Sequence, residues 1–423
     1  MKPGVTVRVA TAWILAAGWL AACAAPAPTP APTLTLEPSV TPLILPTALP
    51  ETMECLVVST DPTATPEGNA LFPPAGQPGD FVLGPDSAPI TFLEYGDVQS
   101  PAVALLDTVL TGLVARNQNK IRWVYRPFPI PANDKSVLAA AALMAAGKQE
   151  RFWPMHHLLI PRQEQWSGLT PEEFEAWLLE DENAPANGLD ADQLIADMRD
   201  EQVQQAALDA QQRGLDMGIP TVPFLLINGR IYTGPRDSGS LQMLVDLANL
   251  DQIQFDTCPP FVIDPQNQYL ATLRTNRGDV VLLLDAQAAP LAVNNFVFLA
   301  RQGWYDGSPF HKVLPGQLAQ SGDPSGTGLG TPGYAFRDEI GALRFDQPGR
   351  VAMASAGANG NGSQFFITYA ALPELNGQYT IFGQVLDGMD VLAALTPRNP
   401  SQMGELPESD TILQVLIDER VNQ

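Results

Sequence analysis

The stretch Val351–Tyr369 constrains the fold of this chain more than any other. A turn rich in glycine and asparagine, Gly357-Ala358-Asn359-Gly360-Asn361-Gly362, leads there into the apolar run Gln364-Phe365-Phe366-Ile367. A short apolar run entered through such a turn reads as a strand. Neighbours along a strand point to opposite faces. Gln364 and Phe366 therefore share one face, while Phe365 enters the core. That face carries an aromatic wall beside an amide that can both donate and accept, as a niche for a proline ring next to a peptide bond requires.

Other segments fall into order around this run. Tyr269–Thr275 and Gly278–Leu284 read as an opening hairpin. Ala289–Ala300 has apolar residues at helical spacing after Pro290, which suits the first turn of a helix. Then come Trp304-Tyr305-Asp306-Gly307, Phe310-His311-Lys312-Val313-Leu314-Pro315-Gly316, Gln320-Ser321-Gly322-Asp323-Pro324, Gly326-Thr327-Gly328, Pro332-Gly333-Tyr334, Asp338-Glu339 and Tyr379-Thr380-Ile381-Phe382-Gly383. In this order residues 268–423 resemble the cyclophilins, which are peptidyl-prolyl cis/trans isomerases. The resemblance implies a closed antiparallel β-barrel and a reaction that needs no nucleophile, metal or cofactor.

Site roles carry over from the same resemblance. Lys312, Gln364 and Phe366 stand at catalytic positions. Phe310, Gln317, Leu318, Gln320, Ala354, Ser355, Leu375 and Tyr379 stand at substrate-binding ones. Three positions depart from the family. Lys312 replaces an arginine, and an ammonium lacks the planar fork of a guanidinium. Gln317 replaces a phenylalanine that lines the proline site. Glu374 replaces a tryptophan linked to cyclosporin binding. The first two imply a weakened isomerase and leave open a non-catalytic peptide-binding or chaperone-like role. His311 reads as a packed residue, because the reaction transfers no proton.

Upstream, Ala88–Asp97 is an apolar strand leaving a turn, and Ser100-Pro101-Ala102-Val103 begins a helix with proline near its front. Ile121–Pro129 reads as a second strand, Ser136–Ala146 and Phe152–Leu159 as helices, and Ile219–Arg230 as a returning strand. Residues 79–256 resemble the thioredoxin fold with a helical insert, as in disulfide oxidoreductases of the DsbA type, and Pro223 matches that family's cis-proline. The family's Cys-x-x-Cys is missing, since Ser100 and Val103 occupy its ends. Without a thiolate there is no redox chemistry, which leaves a module gripping extended peptide near Pro223, or a spacer. No metal site is expected: His156 and His157 adjoin, but no third ligand type clusters with them.

The N-terminus reads as a targeting device. Lys2 and Arg8 precede the apolar run Val9–Ala22, so residues 1–22 form a secretory signal. Leu20-Ala21-Ala22-Cys23 resembles the bacterial lipobox, in which the cysteine is lipidated. Residues 23–78 follow as a linker rich in proline and threonine, an extended spacer. The expected location is thus outside the cytoplasm, lipid-anchored at a membrane. Partners are proline-containing peptides and unfolded exported proteins. Nucleic acid is excluded by the charge balance, with 23 Lys+Arg against 46 Asp+Glu. Export implies an oxidising compartment, where Cys55 and Cys258, flanking the middle region, suit a disulfide.

Overall fold

Two sets of strands organise the chain into two large sheets. The computed structural model describes residues 50–58, 72–402 and 406–421. The signal segment, Cys23 and most of the expected linker lie outside them. After a two-residue strand β1 (Leu56–Val57) come β2 (Phe81–Leu83), β3 (Ile90–Gly96), α1 (Pro101–Arg116) and β4 (Ile121–Pro127). A helical insert follows, with α2 (Ser136–Lys148), α3 (Phe152–Leu159), α4 (Gln163–Trp166), α5 (Pro171–Leu179), α6 (Ala191–Arg199) and α7 (Glu201–Asp216). The chain returns through β5 (Phe224–Ile227), β6 (Arg230–Ile231) and α8 (Ser238–Leu250).

These strands form a five-stranded sheet in the order β2-β4-β3-β5-β6, with β3 and β4 parallel and the other pairs antiparallel. Both faces are covered, so β3 is buried almost throughout and β4 through its centre. Ile90, Phe92 and Trp123 pack with Leu110 of α1 and Val245 of α8, while Leu93, Tyr95 and Val124 pack with the insert. The Val222–Pro223 peptide is cis. At the start of α1, Ser100 is the N-cap and Val103 is buried in the core. The arrangement is thioredoxin-like, with no cysteine at either redox position.

The second set runs β7 (Gln268–Thr275), β8 (Gly278–Leu284), α9 (Pro290–Arg301), β9 (Lys312–Leu314), β10 (Leu318–Ser321), β11 (Tyr334–Ala335), β12 (Arg350–Ser355), β13 (Asn361–Thr368), β14 (Ile381–Asp387), α10 (Met389–Ala393) and β15 (Ile412–Arg420). Eight of the strands make one sheet in the order β15-β7-β8-β14-β12-β13-β10-β9. Helix α9 packs into its hollow with every residue from Leu291 to Ala300 buried. Glu339 accepts from the Leu291 and Ala292 amides (3.0 and 2.9 Å), a carboxylate where the helix dipole favours one.

The closed barrel expected from the sequence is not formed. Among the described residues the sheet is a curled half-barrel whose end strands share no ladder and meet at the bridge Pro309↔Thr411 and the backbone bonds beside it, such as Phe310 N–H to the Asp410 carbonyl at 2.8 Å. Pro309 has no N–H to extend a ladder, and β9 holds only three residues.

Within the expected linker, residues 50–58 lie against this second sheet. Met53 is 2% exposed in its core, β1 pairs antiparallel with β11, and Phe261 donates to the Glu51 carbonyl at 3.0 Å. Cys55 and Cys258 form a disulfide across 203 positions, with Cα atoms 5.7 Å apart. After α8, Phe255 packs on Phe298 and Trp304, and its amide donates to the Pro332 carbonyl at 2.9 Å. Among the described residues, no helix is long and apolar enough to cross a membrane.

Candidate functional site

Strand register builds the site. Lys312 of β9 stands opposite Gln320 of β10, Gln320 opposite Phe366 of β13, and Phe366 opposite Ala352 of β12. Residues in direct register share a sheet face, so one row carries a cation, an amide, an aromatic ring and a small apolar residue. Leu318 and Gln364, two positions away on their strands, lie on the same face. Phe365 faces the other way, against Phe296 and Tyr305.

Phe366 is 3% exposed, packed against Phe345 (ring centroids 5.8 Å apart) and edge-on to Tyr379 (5.3 Å). Ala352 and Ile381 complete that cluster, and Leu318, Ala354, Leu375 and Tyr379 lie half-buried on it. The result is an apolar niche with accessible walls. Ser355 sits half-buried at the end of β12, where its hydroxyl donates to the Gly357 carbonyl.

The two amides are coupled. Gln320 Nε2 donates to Gln364 Oε1 at 2.9 Å, while Gln364 Nε2 donates to the carbonyls of Gly328 (3.0 Å) and Gly330 (2.9 Å). Gln364 is therefore held fast, and Gln320 is the amide placed between it and the niche. The loop supplying those carbonyls is organised by Asp323, fully buried, which accepts from the Gly328 (2.7 Å) and Gly330 (3.0 Å) amides and from Ser325. Position 330 must be glycine here, since a Cβ would lie 2.0 Å from Asp323 Oδ1.

Lys312 is half-buried at the rim. Beside it, burial holds the His311 ring below its ordinary pKa, with Asp323 opposing, so this imidazole is neutral. Gln317 is exposed at the β9–β10 turn, where its carbonyl accepts from the Tyr369 amide at 2.8 Å, and Glu374 is exposed beyond Leu375. Phe310 does not join the niche. At 1% exposed it belongs to the inner core with Val313 and Ala319; it precedes β9, which begins at Lys312, and so lies outside the strand alternation that sets the face of Lys312.

Sequence reasoning missed Phe345, Ala352 and Ile381, which floor the niche, and the carbonyls of Gly328 and Gly330. The Gly326-x-Gly328-x-Gly330 spacing was a signal for the latter. Phe345 stands alone in a stretch without periodicity and had none. A cavity of about 840 Å³ lies in the thioredoxin-like domain, lined by Asp80, Tyr95, Arg126, Met144 and Arg213 among others. Arg126 is engaged there by Asp80, Tyr95 and the Pro73 and Pro74 carbonyls, which ties residues 73–80 to the sheet.

Comparison with known proteins accords with this geometry. Residues 270–416 match the family model described as cyclophilin-type peptidyl-prolyl cis-trans isomerase, and residues 76–247 match a thioredoxin family model. Peptidyl-prolyl cis-trans isomerase A of Mycobacterium tuberculosis is 46% identical over 147 residues, which cover 31% of this chain and 80% of that protein. Peptidyl-prolyl cis-trans isomerase B of Streptomyces anulatus is 42% identical over 173 residues, covering 36% and 97%. A cyclophilin-type isomerase of Cryptosporidium parvum, crystallised in the presence of the dipeptide Ala-Pro, is 40% identical over 35% of this chain and 98% of its own, with a TM-score of 0.33.

Proposed function

Since the chain belongs to the cyclophilin-type peptidyl-prolyl cis-trans isomerases, we propose that its niche isomerises X-Pro bonds of exported proteins, at reduced rate, while lipidated Cys23 holds it at a membrane. The observation that carries the catalytic part is the row Lys312–Gln320–Phe366–Ala352, a donor and an amide beside an aromatic wall.

Amide resonance sets a barrier of about 18–20 kcal/mol to rotation about X-Pro. In the twisted bond the prolyl nitrogen is pyramidal and accepts a hydrogen bond that neither planar form can. A donor placed for that nitrogen stabilises the twisted form selectively, which is what accelerates the step. On our reading Phe366, Leu318, Ala354, Leu375 and Tyr379 hold the prolyl ring. Gln320, steadied by Gln364, holds the peptide backbone, and the Lys312 ammonium donates to the prolyl nitrogen. No proton changes owner, in keeping with a neutral, packed His311.

Two residues support the reduced rate. An ammonium offers a point charge where a guanidinium offers two aligned donors, and losing one charge-assisted hydrogen bond costs about 1.5–3 kcal/mol. Gln317 puts an amide where the family has an aromatic wall. Export and anchoring rest on Lys2, Arg8, Val9–Ala22 and the Leu20-Ala21-Ala22-Cys23 sequence. The thioredoxin-like domain, lacking thiols at Ser100 and Val103, serves as a peptide-gripping module or a spacer.

The test is exchange of an X-Pro peptide followed by NMR, with wild type compared with Lys312→Ala. Acceleration by the wild type, falling about ten- to a hundredfold in the variant, is the expected result. Equal rates for the two, with peptide still bound, favour the non-catalytic reading suggested by Lys312 and Gln317.

A further inference from the structure

In sequence, His156 and His157 lack a third ligand; the fold supplies one from another helix. Asp107, on the second turn of α1, is 6% exposed, and its Oδ1 lies 3.4 Å from Nδ1 of His156 on α3. One donor atom from each of Asp107, His156 and His157 lies within 4.8 Å of the other two. We propose that these three residues bind one divalent transition-metal ion, Zn²⁺ by their chemistry, and that the ion clips helix α3 of the insert to α1.

Two observations converge. First, Asp107 Oδ1 and both ring nitrogens of His156 are buried with no hydrogen-bond partner among the described residues. Buried polar atoms are almost always satisfied, so a cluster of orphans in one place calls for an occupant. Second, the 3.4 Å separation is long for a hydrogen bond between nitrogen and oxygen. It equals the spacing, about 3.3–3.4 Å, of two ligands each roughly 2.0–2.1 Å from a tetrahedral zinc.

The surroundings suit the task. Trp123, Tyr125, Phe152 and Trp153 pack around His156, with ring centroids 4.5–5.9 Å away, and hold its plane. His157 is exposed and gives the ion an entry from solvent, with the fourth position left to water. Nitrogen and oxygen donors without sulfur suit zinc, nickel or copper over calcium or magnesium.

The full chain, freed of metal with a chelator, is titrated with Zn²⁺ by calorimetry and with Co²⁺ by visible absorption. One ion per chain, an intense tetrahedral Co²⁺ spectrum and a Zn²⁺-dependent rise in the unfolding midpoint of the thioredoxin-like domain are expected. His157→Ala, an exposed change that leaves the fold intact by circular dichroism, should weaken Zn²⁺ binding at least about a hundredfold. Asp107→Asn should do the same. No saturable binding by the wild type, or binding that His157→Ala leaves unaltered, overturns the proposal.

Discussion

Adjacent phenylalanines on opposite faces of β13 allow packing and chemistry to be separated. Phe365 is fully buried in the inner core and Phe366 is 3% exposed in the niche. Truncating either to alanine removes a buried ring at a cost of about 3–5 kcal/mol. Amide exchange of the β13 core should therefore accelerate roughly a hundred- to a few thousandfold in both variants. Only Phe366 is assigned contact with substrate. A proline ring burying about 80 Å² of apolar surface across the whole niche at about 25 cal/mol per Å² gains ~2 kcal/mol, which sets an upper limit of about thirtyfold in kcat/KM on the loss of one wall. At a temperature where both variants remain folded, Phe366→Ala should lose up to that factor and Phe365→Ala should stay within a few fold of wild type. The assay is X-Pro exchange by NMR on the full chain, with hydrogen exchange on the same samples. An unaltered rate for Phe366→Ala, or an equal loss in both variants, refutes the assignment of this face.

Three further outcomes follow from named groups. Replacing Lys312 by arginine together with Gln317→Phe should raise kcat/KM by about tenfold or more; no gain means that the rim of the niche is misassigned. Burial raises the Glu94 pKa from 4.5 to about 8, so the folded state keeps a proton that the unfolded state sheds. The stability it contributes is full below about pH 4.5 and is lost as pH rises toward 8. In metal-free protein, Glu94→Gln should flatten that decline in denaturant titrations across the window, and an unchanged slope refutes it. Reducing the Cys55–Cys258 bridge releases a 203-residue loop and should cost up to about 5 kcal/mol. It should also free Met53 from the second sheet, read as new proteolysis within residues 50–58; resistance equal to the oxidised protein counts against a clasping role.

Much of the niche was legible along the chain because its information is local. Alternation placed Gln364 and Phe366 on one face and Phe365 on the other before any strand was paired. The proline at the start of α9 and the glycine-rich turn before β13 marked their boundaries by the same short-range sterics. The absence of thiols at positions 100 and 103 was likewise a matter of residue identity alone.

What the sequence could not carry was register. Lys312, Gln320, Phe366 and Ala352 form a row only because four strands pair with particular offsets, and those offsets depend on long-range hydrogen bonding and sheet twist. The same applies to Phe345, brought beneath Phe366 from a stretch without pattern, and to Phe310, turned into the core although it adjoins the site in sequence. Closure of the barrel depended on whether two distant edges could form a ladder, and Pro309 leaves them a bridge instead. Asp107 and His156 meet across a helix interface that no local periodicity encodes. Side-chain direction along a strand is set by neighbouring residues, whereas which distant side chains share a face is set by packing the whole domain.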